Sequence, residues 1–378
     1  MKKICFITTV HGSLKAFVLV TAEYLYDSGE YDITFICSGN DEFASTLPNY
    51  IKYINIPMKR GINLDFIKVI PRLVKIFKKE KFDIVQYATP NAALYASIAS
   101  IIAKVKIRIY GQWGLRYVTM KGFKRVLFKY LEKLTCRLST HIISTSFNNR
   151  KYAINEGLYK IDKAIVLGEG GATGVDLTVY NIENKNKFNQ LIRERYNLDD
   201  CFIFGFVGRF SRDKGANELL QAIKNISQDS NVKLICIGDI ELSSDMDMQL
   251  YEWAKNSNRV IFTGRIDNLE LPKYYSAMDC YVHPSYREGY PKVLQEAASM
   301  GCAIITTDIP GASEVLENGT SCLLVPPRDA QALENRMRQI INDNNLRYNL
   351  GLNARKRAEQ HFERKMKLRI QKEFYDSL

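Results

Sequence analysis

The hydrophobic and polar positions in the first half of the chain follow two alternating patterns. Short runs of consecutive apolar residues indicate buried strands, and the stretches between them repeat apolar residues every three or four positions, as amphipathic helices do. Predicted strands cover residues 4–9, 33–38, 51–56, 84–87, 106–110 and 141–144, and predicted helices cover 17–26, 66–79, 92–103 and 123–138. Such alternation favours a parallel sheet with helices on both faces.

The alternation begins again after a polar stretch at residues 181–189, which we interpret as a linker. Predicted strands then cover 202–207, 233–237, 260–262, 280–283, 303–306 and 321–324, and predicted helices cover 216–225, 248–255, 269–277, 291–300 and 330–342. We therefore expect an α/β protein with doubly wound, Rossmann-like domains at 1–180 and 181–355 and a helical tail at 356–378 that packs back on the first domain. Ligands of such sheets bind at the carboxyl ends of the strands, so two facing domains would form a central cleft.

Residues 283–301 combine a strand end, an acidic loop and a helix start. Glu288 lies in the loop, and Glu296 follows eight residues later within the helix. Ionised carboxylates only accept hydrogen bonds, and a sugar offers several hydroxyl donors, while the helix start suits a diphosphate. Either glutamate can instead be an ordinary acid near a helix start, although burying Glu296 in an otherwise apolar helix would be costly without a partner.

Residues 204–215 form a predicted strand, a glycine-rich turn and the start of a helix. Arg209 lies at the carboxyl end of the strand and Lys214 near the helix start, where a diphosphate would bind. The glycine spacing is not GxGxxG, so the dinucleotide fingerprint is absent. Arg209 alone can be a surface charge, but its pairing with Lys214 favours an anion site.

Two further features accompany these segments along the chain: Gly264, which follows a strand, and residues 307–311 (TDIPG), which precede Glu314. In this order they resemble the family 4 retaining glycosyltransferases, which have the two-domain GT-B fold. The resemblance is sharpest over 202–327, where residues 286–297 (YREGYPKVLQEA) are similar to members that build bacterial capsule, O-antigen or lipid-linked glycan precursors. Residues 111–117 and 168–176 match the same subgroup less sharply.

The resemblance implies a catalytic set in which Arg209 and Lys214 hold the diphosphate of a nucleotide sugar and Glu288 contacts the donor sugar. The other expected donor contacts are Gly12 at the phosphates, Arg265 and Ile266 near the base, Glu296 at the ribose hydroxyls, and Gly289, Tyr290, Lys292, Val293 and Leu294 along the sugar and phosphates. Many members carry glycine where this chain has Pro291, which has no N–H to donate.

The charge of the chain is concentrated in its first half. Lys and Arg outnumber Asp and Glu by 53 to 41, a net charge of +12. Residues 1–175 hold 26 basic and 13 acidic residues (+13), and residues 176–378 hold 27 and 28 (−1). Residues 104–137 contain ten basic residues and one acid, and the amphipathic helix at 123–138 could rest on an anionic membrane. Alternatively, these basic flanks are simply solvated.

The acceptor is expected to bind the first half. Arg116 is the preferred candidate for an acceptor phosphate. The further acceptor candidates are His11, Gln112, Lys121, Lys124 and Arg125. His11 and Gln112 are included because many family members carry a histidine where this chain has Gln112, although His11 can equally cap the first helix.

Composition excludes several other classes of protein. No segment reaches the ~18–20 apolar residues of a membrane-spanning helix, and the first ten residues favour a buried strand over a signal peptide. Eight scattered cysteines without a CxxC pair indicate buried thiols in a reducing compartment, and four histidines without ligand spacing indicate no metal centre.

We therefore expect a cytoplasmic enzyme at the inner face of the plasma membrane that needs no cofactor. It would move a hexose or N-acetylhexosamine from a UDP-sugar, the donor favoured by family frequency, to a polyprenyl-diphosphate-linked saccharide. One alternative is another glycosyltransferase that acts on a glycolipid, and another is an epimerase or phosphorylase on the same fold. A non-enzymatic polyanion binder would explain the charge but not the paired glutamates, and no aromatic-basic motif predicts a nucleic-acid partner.

Overall fold

A computed structural model describes residues 1–61, 63–198 and 200–378. The chain divides into two compact units: Met1–Thr173 together with Lys367–Leu378 form unit 1, and Gly174–Met366 form unit 2. The sequence placed the boundaries after residues 180 and 355. Unit 2 begins earlier than predicted, because residue 175 pairs with residues 362–364. The Val175 N–H donates to the Phe362 carbonyl, and the Arg364 N–H donates to the Val175 carbonyl.

Unit 1 is built on a parallel sheet. Its strands are β1 (Lys2–Val10), β2 (Tyr31–Ser38), β3 (Lys52–Asn55), β4 (Ile84–Ala88), β5 (Ile107–Gln112), β6 (His141–Ser144) and β7 (Ala164–Val166). Its helices are α1 (His11–Phe17), α2 (Leu19–Asp27), α3 (Asp41–Ser45), α4 (Phe66–Glu80), α5 (Pro90–Ile102), α6 (Gly122–Leu138) and α7 (Phe147–Asn155). The strand order is β3-β2-β1-β4-β5-β6-β7, so successive strands are added on one side of β1 up to β3 and on its other side from β4 onwards.

Unit 2 repeats this architecture. Its strands are β8 (Phe202–Val207), β9 (Val232–Ile237), β10 (Val260–Gly264), β11 (Cys280–His283), β12 (Ala303–Thr307) and β13 (Leu323–Val325). Its helices are α8 (Lys185–Tyr196), α9 (Ala216–Ile226), α10 (Met248–Asn256), α11 (Leu271–Ala277), α12 (Lys292–Ser299), α13 (Ala330–Asn342) and α14 (Asn344–His361). The strand order is β10-β9-β8-β11-β12-β13, so the predicted pair of Rossmann-like α/β sheets is confirmed.

In each unit, the sheet lies between two apolar layers of the core. In β8, Phe204 and Phe206 pack in one layer while Ile203 and Val207 pack in the other, as the two-residue repeat of a strand requires. The first ten residues, which superficially resemble a signal peptide, contain the central strand β1, which is buried from Ile4 to Thr9. In the part of the chain that the structure describes, no helix has the length and apolar character needed to cross a bilayer.

The last helix, α15 (Arg364–Asp376), fastens the end of the chain to unit 1. The Tyr375 hydroxyl donates to Gln86 Oε1 at 2.6 Å, and the Thr21 hydroxyl donates to Gln371 Oε1 at 2.8 Å. The Lys367 ammonium donates to the carbonyls of Leu167 and Gly170. Of the tail predicted at 356–378, residues 367–378 therefore pack on the first domain, whereas residues 356–366 belong to unit 2 and include the end of α14.

We expect Tyr375→Ala to lower the free energy of unfolding by about 3–5 kcal/mol, since it removes a ring that is 2% exposed and leaves Gln86 without its donor. Urea denaturation followed by circular dichroism measures this change. Tyr348→Ala is the matched control, because Tyr348 is 69% exposed in unit 2. Equal losses for the two variants would contradict the docking of α15.

Candidate functional site

The candidate site lies at the carboxyl edge of the unit 2 sheet. β8 and β11 are neighbours in this sheet although β9 and β10 separate them along the chain, so the strand order reverses at this point. The loops at residues 208–215 and 284–291 leave the two strands side by side. In open α/β sheets, this topological switch point is where ligands bind.

Glu288 joins the two loops through an ion pair. The Lys214 ammonium donates to Glu288 Oε1 at 2.5 Å, and His283 Nε2 lies 2.9 Å from the same oxygen. Because an ionised carboxylate only accepts, His283 Nε2 carries a proton. His283 Nδ1 lies 3.3 Å from the Tyr281 hydroxyl, which is also within reach of the Val207 carbonyl at 3.4 Å.

Glu288 stays ionised in this setting. Burial alone would raise the pKa of its carboxyl, but the adjacent Lys214 ammonium and the His283 hydrogen bond outweigh burial and hold the pKa far below its ordinary value. Lys214 has three N–H donors and gives one of them to Glu288, which leaves donors for a second anion. The pair can therefore bind a diphosphate without losing its own contact.

Gly215 fixes the approach of the two loops. Its φ is +76°, and a Cβ at this position would overlap the carbonyl oxygen of Pro284. The Tyr286 N–H donates to the Asp213 carbonyl at 3.0 Å across the same contact. A glycine directly after Lys214 is thus required for the lysine to reach Glu288.

A third loop, which follows β12, packs on the Glu288 loop. Gly311 has a φ of +87°, and a Cβ there would overlap the carbonyl oxygen of Gly289. The Gly311 N–H donates to Glu314 Oε1 at 3.0 Å, which holds the turn closed. The TDIPG segment and the following Glu314 therefore support the back of the site.

Arg209 follows β8 at the same edge and remains half-exposed. Its guanidinium forms ion pairs with Glu241 and, at 3.8 Å, with Asp213. Asp213 immediately precedes Lys214, so both predicted cations lie beside the 208–215 turn. A diphosphate at Arg209 would have to compete with these two carboxylates.

Glu296 is buried within α12, and the chain itself supplies its partners. The Tyr275 hydroxyl donates to Glu296 Oε2 at 3.2 Å, and the Lys292 ammonium lies 3.1 Å from Glu296 Oε1. Burial and a hydrogen bond to Glu296 raise the pKa of the Tyr180 hydroxyl well above its usual range. These contacts offset the cost of burying Glu296 without a ligand. The burial of Glu296 therefore does not by itself indicate a ribose contact. Pro291 is the N-cap of α12, one residue earlier than its predicted place in the helix.

The remaining predicted donor residues are distributed around this edge. Tyr290 and Leu294 have buried side chains in the unit 2 core, which leaves only their backbone for a ligand, while Val293 and Gly289 are half-buried. Arg265 is exposed directly after β10, two strands away from β8, and Ile266 packs against the core beside it.

The predicted acceptor residues belong to unit 1. His11 begins α1 directly after β1, and it is exposed and lies against the Phe43 ring rather than serving as the N-cap, which is Val10. Gly12, which was predicted at the donor phosphates, is the next residue of α1 and is also exposed. Gln112 is fully buried, and its amide donates to Glu132 and accepts from Tyr159, both at 2.8 Å. To touch an acceptor, Gln112 would have to leave these partners.

The predicted basic residues of unit 1 surround α6. Arg116 is exposed, and its guanidinium carbon lies 5.5 Å above the Phe128 ring. Lys121 and Lys124 are exposed at the start of α6. Arg125 is less available, because it pairs with Glu156 at 3.3 Å.

Sequence reasoning assigned no role to His283, or to Thr9 and Thr89 at the switch point of unit 1. His283 ends a strand at the sheet reversal five residues before Glu288, and this placement is the signal that could have identified it. In unit 1, the Thr9 and Thr89 hydroxyls lie 2.8 Å apart across β1 and β4. Thr89 has a φ of +66°, a strained conformation for a β-branched residue, which marks this edge as a second candidate position.

Comparison with known proteins identifies the family. Residues 188–357 match the model of "Glycosyl transferases group 1", and residues 3–146 match "Glycosyl transferase 4-like". The chain is 35% identical over 335 residues to the capsular polysaccharide biosynthesis glycosyltransferase CapM of Staphylococcus aureus, covering 88% of this chain and 86% of that protein. The chain belongs to the group 1, family 4-like glycosyltransferases.

A second relative resembles the chain in sequence, and a solved structure resembles it in fold. The glycosyltransferase is 25% identical over 338 residues to the UDP-Gal:alpha-D-GlcNAc-diphosphoundecaprenol alpha-1,3-galactosyltransferase of Escherichia coli, covering 88% of this chain and 84% of that enzyme. The crystal structure of Anabaena Alr3699/HepE in complex with UDP and glucose matches with a TM-score of 0.82 at 20% identity over 100% of both chains. The fold of the glycosyltransferase is GT-B, as the resemblance implied.

We expect Glu288→Gln to remove a pH-dependent part of the stability. The depressed pKa of Glu288 contributes stability that is fully present above the ordinary glutamate pKa of 4.5 and is lost as the pH falls below it. The difference in free energy of unfolding between wild type and variant should therefore be largest near pH 7 and shrink towards pH 3, as measured by urea titration. Glu252→Gln, an exposed site in unit 2, controls for the loss of one carboxylate. A difference that stays constant with pH would contradict the ion pair.

Proposed function

We propose that this glycosyltransferase moves a hexose or N-acetylhexosamine from a UDP-sugar to a polyprenyl-diphosphate-linked saccharide, with retention of anomeric configuration, during assembly of a bacterial surface polysaccharide. The observation that carries the proposal is the cluster of Lys214, Glu288 and His283 at the switch point of unit 2. The name of CapM supports a role in capsule biosynthesis, and the Escherichia coli relative is named for UDP-Gal and a diphosphoundecaprenol acceptor.

The proposed reaction balances without an added reactant. The bond between the anomeric carbon and the β-phosphate oxygen breaks, and its electron pair leaves with the diphosphate. The acceptor hydroxyl oxygen bonds to the anomeric carbon from the same face, and its proton passes to the departing phosphate oxygen. Arg209, Lys214 and the amides that begin α12 would stabilise the growing phosphate charge.

Glu288 has a positioning part in this proposal. Its Oε1 accepts from both the Lys214 ammonium and His283 Nε2, which holds the ammonium at the switch point. A hydroxyl of the donor sugar would donate to the carboxylate, which stays ionised at neutral pH. The preformed geometry reduces reorganisation when the leaving group departs.

A panel of nucleotide sugars tests the donor. We expect a UDP-sugar to raise the thermal unfolding temperature, while GDP-mannose does not, because a ligand that binds only the folded state stabilises it. The stabilising donor is then incubated with a synthetic polyprenyl-diphosphate saccharide, and proton NMR of the product reports its anomeric configuration. An inverted product, or transfer without any polyprenyl-linked acceptor preference, would refute the proposed assignment.

Lys214→Ala is expected to lower kcat by about 10²–10³-fold, because it removes a cation from the leaving diphosphate. Lys273→Ala is the matched control, since Lys273 forms an ion pair with Glu270 at 2.7 Å on the same unit but away from the switch point. Initial rates of transfer measure both. Near-full activity of Lys214→Ala in a folded protein would show that another group stabilises the leaving group.

We also propose that unit 1 binds an anionic membrane surface through α4 and α6. On α6, Phe123, Val126 and Tyr130 are 78%, 66% and 65% exposed, and the exposed lysines Lys121 and Lys124 lie on the same helix or at its start. Exposed apolar side chains flanked by lysines are typical of helices that lie in a membrane interface. This surface would bring the enzyme to its lipid-linked acceptor.

The double charge reversal Lys121→Glu/Lys124→Glu should weaken binding to anionic liposomes by about tenfold or more, at ~1 kcal/mol for each lysine removed near the surface. Co-sedimentation with phosphatidylglycerol vesicles at low salt measures binding. Lys255→Glu/Lys356→Glu makes the same charge change at exposed positions of unit 2 and serves as the control. Absence of wild-type binding at low salt would exclude the membrane surface.

A further inference from the structure

Unit 1 contains an apolar cavity that the proposed chemistry does not use. Its volume is about 360 Å³, and it lies between α4, α5 and α6. Its walls include Ile70 of α4, Leu94 and Ile98 of α5, and Leu127 and Leu131 of α6, each of which is only half-buried. Protein interiors normally close such spaces by packing, so an open cavity with this many aliphatic walls is suited to an apolar ligand.

Several polar groups of the cavity wall already have hydrogen-bond partners within the chain. Asn91 Nδ2 donates to the Gly61 carbonyl at 2.7 Å, and the Thr135 hydroxyl donates to the Leu131 carbonyl at 3.0 Å. Glu132 accepts from the Tyr110 hydroxyl and from the Gln112 amide. A ligand would therefore meet aliphatic and aromatic carbon over most of the cavity.

Two residues give the cavity a polar, cationic side. Arg116 is exposed and yet lines the cavity, so its guanidinium lies at the rim, 5.5 Å from the Phe128 ring centre. Tyr117 also lines the cavity and is 1% exposed, and its hydroxyl has no hydrogen-bond partner within residues 1–61, 63–198 and 200–378. Such a buried hydroxyl can hydrogen-bond to water or to a polar group of a ligand that enters the cavity.

The cavity lies beside the exposed apolar side chains of unit 1. Phe66, at the start of α4, lines it and is 42% exposed, and Phe123 and Val126 are exposed on α6, which forms the opposite wall. The exposed apolar side chains and the cavity walls therefore lie on the same helices, which would place a lipid chain at a membrane surface next to the cavity. A ligand that fits both features has an anionic head and a hydrocarbon tail.

We propose that this cavity binds the isoprene units nearest the diphosphate of the lipid-linked acceptor, with the diphosphate at Arg116; this inference rests on the proposed function. An engineered cavity of about 150 Å³ holds benzene, so 360 Å³ has room for roughly 14 carbon atoms, about three isoprene units. The cavity would recognise the lipid part of the acceptor and fix the position of its saccharide. Substrate choice would then depend on the chain as well as on the sugar.

Farnesyl diphosphate, with three isoprene units, tests the cavity without the saccharide. Isothermal titration of the full chain should detect its binding, and inorganic diphosphate and farnesol should each bind at least tenfold more weakly, because each lacks one half of the recognised ligand. Dodecyl phosphate, an unbranched chain, should also bind more weakly. Equal or tighter binding of dodecyl phosphate would overturn the assignment to an isoprenoid.

Ile98→Trp fills the cavity and should weaken farnesyl diphosphate binding at least tenfold. Ile102→Trp is the matched control, because Ile102 lies on the same helix, is 50% exposed and does not line the cavity. If Ile98→Trp does not fold, Leu127→Ala enlarges the cavity instead and should shift the preference from the C15 to the C20 diphosphate. Unchanged binding and chain preference in these variants would overturn the proposal.

Transfer assays separate failure of this inference from failure of the proposed function. With acceptors of increasing chain length, KM should fall at least tenfold between one and three isoprene units and then level off, and Ile98→Trp should abolish this dependence without changing hydrolysis of the donor sugar. Transfer that is independent of chain length would refute the cavity while leaving the lipid-linked function intact. Farnesyl diphosphate binding that Ile98→Trp blocks, without transfer to any lipid acceptor, would refute the function while supporting the cavity.

Discussion

The ion pair between Lys214 and Glu288 is the constraint on which the unit 2 site depends. A carboxylate that is nearly removed from water is stable only while its partners remain, so the loops after β8 and β11 must keep their approach. The glycine after Lys214, the backbone contact of Tyr286 and the packing of Gly311 on Gly289 all serve this approach. In the proposed reaction, the same lysine meets the leaving diphosphate, so the interaction that orders the loops would also prepare the site.

Unit 1 presents a different chemistry. Its net charge of +13, counted through residue 175, is placed partly on α4 and α6, and these helices also carry exposed aromatic and aliphatic side chains. The cavity between them combines aliphatic walls with Arg116 at its rim. Under the proposed function, the charge asymmetry separates the work of the two units: unit 2 stabilises a nucleotide diphosphate, and unit 1 receives a lipid diphosphate from a membrane surface.

Much of the fold follows from the sequence because buried parallel strands are short, continuous apolar runs. The strand that ends at His283 and the helix that contains Glu296 were predicted within a residue or two. The 181–189 stretch was predicted wrongly as a linker, since it contains a short turn and the beginning of α8. α8 has a polar sequence because Ile192 is its single fully buried residue. α7 and β7 were missed because both are short and weakly patterned.

For the site, the sequence predicted positions along the chain but not the contacts between distant segments. Glu288 was selected from its position in a loop and Lys214 from its position near a helix start, but their ion pair joins residues 74 positions apart, which spacing cannot show. The burial of Gln112 and the tyrosine partners of Glu296 depend on the packing of distant segments. The cavity of unit 1 was also beyond prediction, because the apolar stripe of α6 gives no sign of which side chains leave space between helices.

The central claim is that a nucleotide sugar binds at the Lys214–Glu288–His283 cluster. The chain has four histidines, so the imidazole signals of isotope-labelled protein can be followed individually by NMR and assigned with His283→Gln. On titration with UDP or the stabilising UDP-sugar, the account predicts a saturable change at His283 and none at His141 or His361. Saturable nucleotide binding that leaves the His283 signal unchanged would contradict the account.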